Sequence, residues 1–354
     1  MANHIKIIGC GAYIPEIVTP NEDFKAHTFY SETGQPIVND AEVIIQKFKA
    51  ITGIEERRYL QSDMQTSDMA AIAAKKAIAD AQIDPESIDY LLVAHNYGDV
   101  AYGDIQSDTV PSIASRVKHK LKIKNPRTVA FDLIFGCPGW LEAVLQIKAL
   151  ITSGMAKTCM VIGAESLSRV IDKHDRDSMI YSDGAGAVIF KAADEAGGVL
   201  NSVSATYTTD ESQFIYFDES NNKAIKDTTR YIKMYGRKVY NFALSNVPAA
   251  MKECLDNSGI HIDQLKKILI HQANEKMDIA ICERFYELYD KPVPEHIMPM
   301  TINFLGNNSV ATLPILFDLI AHGQLPPHEL NPGDYIMFAS VGAGMNINAM
   351  IYQL

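Results

Sequence analysis

The chain has 354 residues, 43 of them acidic against 32 Lys plus Arg, for a formal net charge of −11. Hydrophobic residues make up 47% and aromatics 8%, which suits a folded globular protein of one large domain or two fused core units. So acidic a chain has no general attraction for phosphate backbones or anionic lipid surfaces, and neither nucleic acid nor membrane is expected as a partner. The densest basic stretch, Lys118, Lys120, Lys122 and Lys124 with His119, is broken by apolar residues and reads as the solvated side of a helix end.

No window approaches the ~20 apolar residues of a membrane span. The opening MANHIKIIGCGAYIP holds no signal-peptide core and passes straight into strand-like alternation, so a cytoplasmic location is expected. Cys10, Cys137, Cys159, Cys254 and Cys282 are widely spaced, odd in number and form no CxxC pair. They suggest free thiols rather than a disulfide framework or a zinc site.

Periodicity predicts helix over 66–82, strand over 88–95, helix over 109–121 and strand over 128–135. Helix at 138–152 follows, then strands at 158–164 and 185–193. The second half repeats the order, with a helix over 237–257, a strand at 266–271, helices near 276–288 and 309–322, and strands at 334–340 and 346–353. Laying IDPESIDYLLVA (83–94) on IHIDQLKKILIH (260–271) aligns two strands half a chain length apart. Near-continuous apolar strands flanked by helices imply an α/β fold built as an internal duplication. The expected halves are 1–194 and 195–354, packed as one body because only the DEAGG turn separates them.

Four segments carry candidate chemistry. In TVAFDLIFGCPGW a strand ends at Gly136 and Cys137 precedes Pro138, which suits a first helical turn. Cys137 then lies at the positive end of a helix dipole, a placement that favours thiolate. The residues alone admit either a nucleophile or a small buried cysteine at a strand-to-helix corner. In LKKILIHQANEKM, His271 ends a strand at the open edge of an α/β sheet and Asn274 is placed to cap the next helix. A core histidine bonded to a carbonyl fits equally well. Gly306, Asn307, Asn308 and Ser309 form a turn into a buried helix, and Gly342-Ala343-Gly344 joins two strands with a turn able to approach a ligand.

Taken together, IKIIGCGAYIPE, ITGIEERRYL, GCPGW, DRDSMIYSDGAGAVIF, HQAN, GNNS and VGAGM occur in an order and spacing that resembles the β-ketoacyl-acyl-carrier-protein synthase III branch of the thiolase superfamily. The resemblance covers essentially the whole chain. It implies a thiolase-like, layered α-β-α-β-α body with Cys137, His271 and Asn307 as the catalytic residues. It further implies a ping-pong decarboxylative condensation. Cys137 takes an acyl group from a thioester, with an oxyanion hole from the N–H groups of Cys137 and Ala343, and neutral His271 and Asn307 then stabilise the enolate of a malonyl thioester. Acyl-coenzyme A and acyl-carrier protein are the implied partners, the assembly a homodimer, and no metal or redox cofactor is implied.

Departures from the pattern bear on substrate binding. Pro138 stands where a small residue is usual, and Trp140, the only tryptophan, is a candidate for narrowing the acyl tunnel or for plain core. The adenine clamp of the family falls at Lys47 and Ile51, whereas Arg176 matches its other nucleotide-side arginine. Lys276 is expected at the tunnel mouth and Asn274 among the substrate-binding residues, and Lys276, Arg284, Arg237 and Lys238 form a candidate carrier-protein patch. Residues 96–108 are longer than usual and lead to Val110, whose relatives cap the partner's acyl pocket; a small Val110 would admit a longer or branched chain. Ala343, at a position usually glycine, is costly only where the turn demands positive φ. These features fit fatty-acid initiation or a specialised pathway such as aryl-polyene or dialkylresorcinol assembly. The alternatives are an acyltransferase or thioesterase using the same cysteine, and a non-catalytic carrier-protein-binding partner. No GxGxxG or P-loop follows a predicted strand, which argues against a nucleotide-binding module.

Overall fold

The computed structural model describes residues 4–354. The first half runs β1 (His4–Tyr13), β2 (Ile17–Pro20), α1 (Ala41–Thr52), β3 (Glu56–Tyr59), α2 (Thr66–Ala81), β4 (Tyr90–Ala94), α3 (Ile113–Lys120) and β5 (Val129–Leu133). It continues with α4 (Gly139–Thr152), β6 (Thr158–Ser166) and β7 (Asp183–Ala193). The second comprises β8 (Gly198–Thr206), β9 (Ile215–Asp218), β10 (Tyr231–Met234), α5 (Gly236–Ser258) and β11 (Leu265–Ile270). Then come α6 (Glu275–Glu287), α7 (Ile302–Leu305), α8 (Thr312–Ala321), β12 (Tyr335–Gly342) and β13 (Asn346–Gln353).

Two sheets dominate, ordered β1-β7-β6-β4-β5 and β8-β13-β12-β11. The direction pattern repeats between them. β4 and β6 are parallel, as are β11 and β12, while β6/β7 and β7/β1 are antiparallel, as are β12/β13 and β13/β8. The duplication expected from the alignment of 83–94 with 260–271 is therefore a duplication of topology, with β5 lacking a counterpart.

Side chains alternate along each strand and divide the core into layers. Val161 of β6 and Phe338 of β12 point at α4 and α8, which lie between the sheets. Met160 and Ile162 face α2 and α3 on one outer surface, and Met337 and Ala339 face α5 and α6 on the other. The order is thus α-β-α-β-α. Three glycines let helices and turns pack closely on the first sheet: a Cβ on Gly9 or Gly11 would lie 2.5 Å from backbone nitrogens of α2, and one on Gly163 2.2 Å from the Val310 carbonyl.

The helix expected at 109–121 starts at Ile113, because Ser112 accepts a bond from Ser115 N–H and caps it there. The one expected at 309–322 is a 3-10 turn, Ser309–Ala311, followed by α8. The basic stretch ends α3 as expected, with two of its lysines engaged: Lys118 donates to the Asn125 and Thr128 carbonyls and Lys120 pairs with Asp68. No helix among the described residues is long and apolar enough to cross a membrane.

Candidate active site

Cys137 occupies the corner between β5 and α4, with Gly136 at φ +65 and Pro138 in the cap position just ahead of Gly139. The β12–β13 turn packs directly against this corner. A Cβ on Gly342 would stand 2.5 Å from Cys137 N, and one on Gly136 2.7 Å from the Ala343 carbonyl. Asn346 Nδ2 closes the contact by donating to the Phe135 and Ala343 carbonyls. Positive φ in this turn falls on Gly344 and Met345 and not on Ala343, so alanine is unstrained there. Gly342, read from the sequence only as part of a turn able to approach a ligand, is a position that requires the absence of a side chain.

The sulfur is not the ready thiolate that its place before a helix suggested. Burial pushes the Cys137 thiol up to about 11, with the Glu165 carboxylate adding to the rise, while a hydrogen bond from Ser309 Oγ to Sγ at 3.5 Å opposes it. Desolvation of a charge outweighs the half-charge of a helix end at such a site.

His271 follows β11, and its N–H extends the parallel ladder by donating to the Ala339 carbonyl at 2.9 Å. The ring is 3% exposed, and burial holds it down to about 4, so it is neutral at pH 7. Its Nδ1 is buried without a protein partner among the described residues. Gln272, next in the chain, ties this loop to the segment leading to Asn307: its Nε2 donates to the Pro299 carbonyl and its Oε1 accepts from Thr301 N–H at 2.8 Å.

Asn307 is clamped at both backbone groups. Its N–H donates to the Ile180 carbonyl and its own carbonyl accepts from Ser182 N–H, each at 2.9 Å. Asn308 Nδ2 donates to the Asp183 carbonyl, so the whole turn is bolted to the start of β7. Asn307 Oδ1 accepts from Ser309 N–H at 2.8 Å, which leaves the carboxamide NH₂ as the end free to donate outward. Cys137 thus touches the Asn307 turn through Ser309 and touches the Ala343 turn directly, while His271 joins through its own loop.

The remaining expected residues lie apart from this junction. Trp140 is 1% exposed and packs between Phe190 and Phe338, so the tunnel role is corrected to core. Val110 is 85% exposed. Arg176 is exposed and pairs with Asp177 at 3.4 Å. Asn274 is engaged as the α6 cap, accepting from Met277 N–H, and Lys276 is exposed on α6. Lys47 and Ile51 are exposed on α1. The long segment is more than a solvated loop: Tyr102, Gly103, Asp104 and Ile105 line a cavity of about 770 Å³ with Arg169 and Tyr231. Sequence reading missed Glu165 and Asn96, which approach Cys137 only in the folded chain.

Family models for 3-oxoacyl-[acyl-carrier-protein] synthase III match residues 131–208, and for its C-terminal part residues 255–354. A β-ketoacyl-[acyl-carrier-protein] synthase III from Erythrobacter litoralis is 30% identical over 351 residues, 98% of each chain. The chain belongs to the 3-oxoacyl-[acyl-carrier-protein] synthase III family. Crystal structures of synthase III from Aquifex aeolicus and Thermus thermophilus share the fold. The first has 27% identity and a TM-score of 0.80, covering 99% of this chain and 100% of that one. The second has 28% identity and a TM-score of 0.79, covering 98% of each. As a synthase III family member, the protein is a ketosynthase of the transferase class with a thiolase-like fold.

Proposed function

We propose that Cys137, His271 and Asn307 carry out a decarboxylative Claisen condensation between an acyl thioester and malonyl-acyl-carrier protein. The observation that carries this reading is the pairing of a neutral, buried imidazole with an amide whose oxygen is already occupied. Both are donors that keep their protons, which is what an enolate oxygen requires.

In the first half-reaction Sγ attacks the thioester carbonyl, a C–S bond forms, and the departing thiol leaves with the proton. The N–H groups of Cys137 and Ala343 are the proposed oxyanion donors, supported by the packing of their turns against each other. In the second, the malonyl carboxylate leaves as carbon dioxide and its electron pair becomes the enolate, held by His271 Nε2 and the Asn307 NH₂. The enolate carbon attacks the acyl-cysteine, the C–S bond breaks, and the thiolate regains a proton. The cycle takes up one proton from solvent at the cysteine thiolate and otherwise balances with the two thioesters, so we assign no resident cofactor.

Exposed Lys276 on α6, with Arg237 and Lys238 at the start of α5, supports docking of an acidic carrier protein, and exposed Arg176 supports a nucleotide-bearing primer. Arg284, also exposed on α6, is anchored through Nη1, which donates to the Leu244 carbonyl. A homodimer is supported by β5, an edge strand exposing Val129 and Phe131 with Ile134 beyond it. Five free thiols support a cytoplasmic location. Incubation with labelled malonyl-acyl-carrier protein and an acyl donor tests the reaction: carbon dioxide release coupled to a β-ketoacyl product supports condensation, and transfer or hydrolysis without it supports the acyltransferase or thioesterase alternative.

A further inference from the structure

Glu165 is 0% exposed and lies on the β6 face that looks into the central helical layer, two residues beyond Gly163. Its Oε2 accepts from Asn96 N–H at 2.9 Å and from Asn96 Nδ2 at 2.7 Å, and its Oε1 accepts from Tyr97 N–H at 3.3 Å. Asn96 Nδ2 also reaches Ser309 Oγ at 3.3 Å, and Ser309 Oγ reaches Cys137 Sγ at 3.5 Å. The order of donors along this chain fixes a direction. Once the serine oxygen accepts from Asn96, the hydroxyl hydrogen remains to point at the sulfur.

Two further features hold the arrangement. Ser309 adopts φ +51, a left-handed conformation that costs a non-glycine residue energy and persists where surrounding structure enforces it. The loop bearing Asn96 is braced by His95, whose Nδ1 accepts from Gly98 N–H and whose Nε2 meets Asp132 Oδ2 at 3.0 Å. Asp132 in turn accepts from Ile113 and Ala114 N–H at 2.7 Å each.

We propose that Ser309 is a further catalytic residue, donating a hydrogen bond to the Cys137 sulfur, and that Asn96 and Glu165 are the positioning residues that aim it. The proposal rests on Cys137 being the nucleophile of the condensation. A donor at sulfur favours the thiolate and so counters the burial that holds this thiol protonated. Asn96 relays no proton. The serine keeps its own, and the thiol proton leaves with the departing group of the acyl donor. The ionisable groups facing the sulfur are Glu165 on β6, Tyr97 after β4 and Tyr181 ahead of β7; those facing Glu165 are His95 and Tyr97.

The test is the pH profile of Cys137 alkylation by iodoacetamide in the full-length protein, with Cys137→Ala setting the background. Ser309→Ala is expected to raise the midpoint and slow alkylation about tenfold at a fixed pH below it, the size of a lost hydrogen bond to a charged group. Asn96→Ala, which keeps the hydroxyl and frees its rotation, is expected to move the midpoint the same way by less. A structural role alone would scale the rate equally at every pH. Profiles superimposable on wild type, or a uniform scaling in both variants with unchanged thermal melting, would overturn the proposal. Because alkylation needs no acyl donor, that failure is distinct from failure of the condensation, which shows instead as absent acyl transfer by the wild type.

Discussion

Ser309 N–H donates to Asn307 Oδ1 at 2.8 Å, and the same serine's hydroxyl lies 3.5 Å from Cys137 Sγ. One residue therefore orients the amide assigned to the enolate and touches the sulfur assigned to the acyl group. The two half-reactions share a single turn, which Gly163 admits against β6 by presenting no Cβ to the Val310 carbonyl.

Removing the enolate donor should separate the half-reactions. Asn307→Ala is expected to accept an acyl group on Cys137 while condensation falls by on the order of 100-fold, the usual loss for one donor to a developing oxyanion. Single-turnover acylation measured beside carbon dioxide release checks this.

The Cys137 corner should tolerate one change and reject its neighbour. Gly342→Ala puts a Cβ 2.5 Å from Cys137 N, a contact that forces backbone to move and misplaces the N–H proposed for the oxyanion hole. Acyl transfer is expected to drop by at least about 100-fold. Ala343→Gly relieves no positive φ and should leave the transfer rate within about a factor of three.

Stability should fall on mild acidification because of His271. Its folded value of about 4 lies below the ordinary 6.5, so between these limits the unfolded chain binds the proton that the folded one excludes. The contribution is intact above pH 6.5 and shrinks as pH drops towards 4, with a loss of about 2 kcal/mol at pH 5. Denaturant unfolding of wild type and His271→Asn at pH 7.5 and 5 should show a smaller pH difference in the variant.

Trp140→Ala tests the reassignment of that residue to the core. A loss of about 3–5 kcal/mol is expected from the cavity left between Phe190 and Phe338, with no change in acyl-chain preference once activity is normalised to folded protein.

Much of this molecule was legible before folding because its strands and helices carry local signals. The apolar runs around 90–94 and 267–271 predicted the duplicated α/β order, and the family resemblance carried by the GCPGW, HQAN and GNNS segments implied the three candidate residues, which the residues alone left open. Trp140 stayed open between acyl tunnel and plain core because helical spacing tells that a side chain is buried and not against what. The thiol of Cys137 misled because a helix start is visible in sequence, whereas the desolvation that outweighs it is a tertiary effect. Glu165 and Asn96 left no signal at all. A single carboxylate at the end of an apolar strand reads as a boundary, and its partner lies in a segment of no recognisable period. The edge exposed by β5 was equally hidden, since strand order is not written in any one strand.

The most direct measurement is the intact mass of wild type and Cys137→Ala after incubation with a panel of acyl-coenzyme A and acyl-carrier-protein donors, followed by malonyl-acyl-carrier protein. One acyl group should add to the wild type alone and disappear, with carbon dioxide release, when the malonyl donor arrives. An equal adduct on Cys137→Ala, or none on wild type from any donor, would contradict the assignment of Cys137 as the acyl carrier of the reaction.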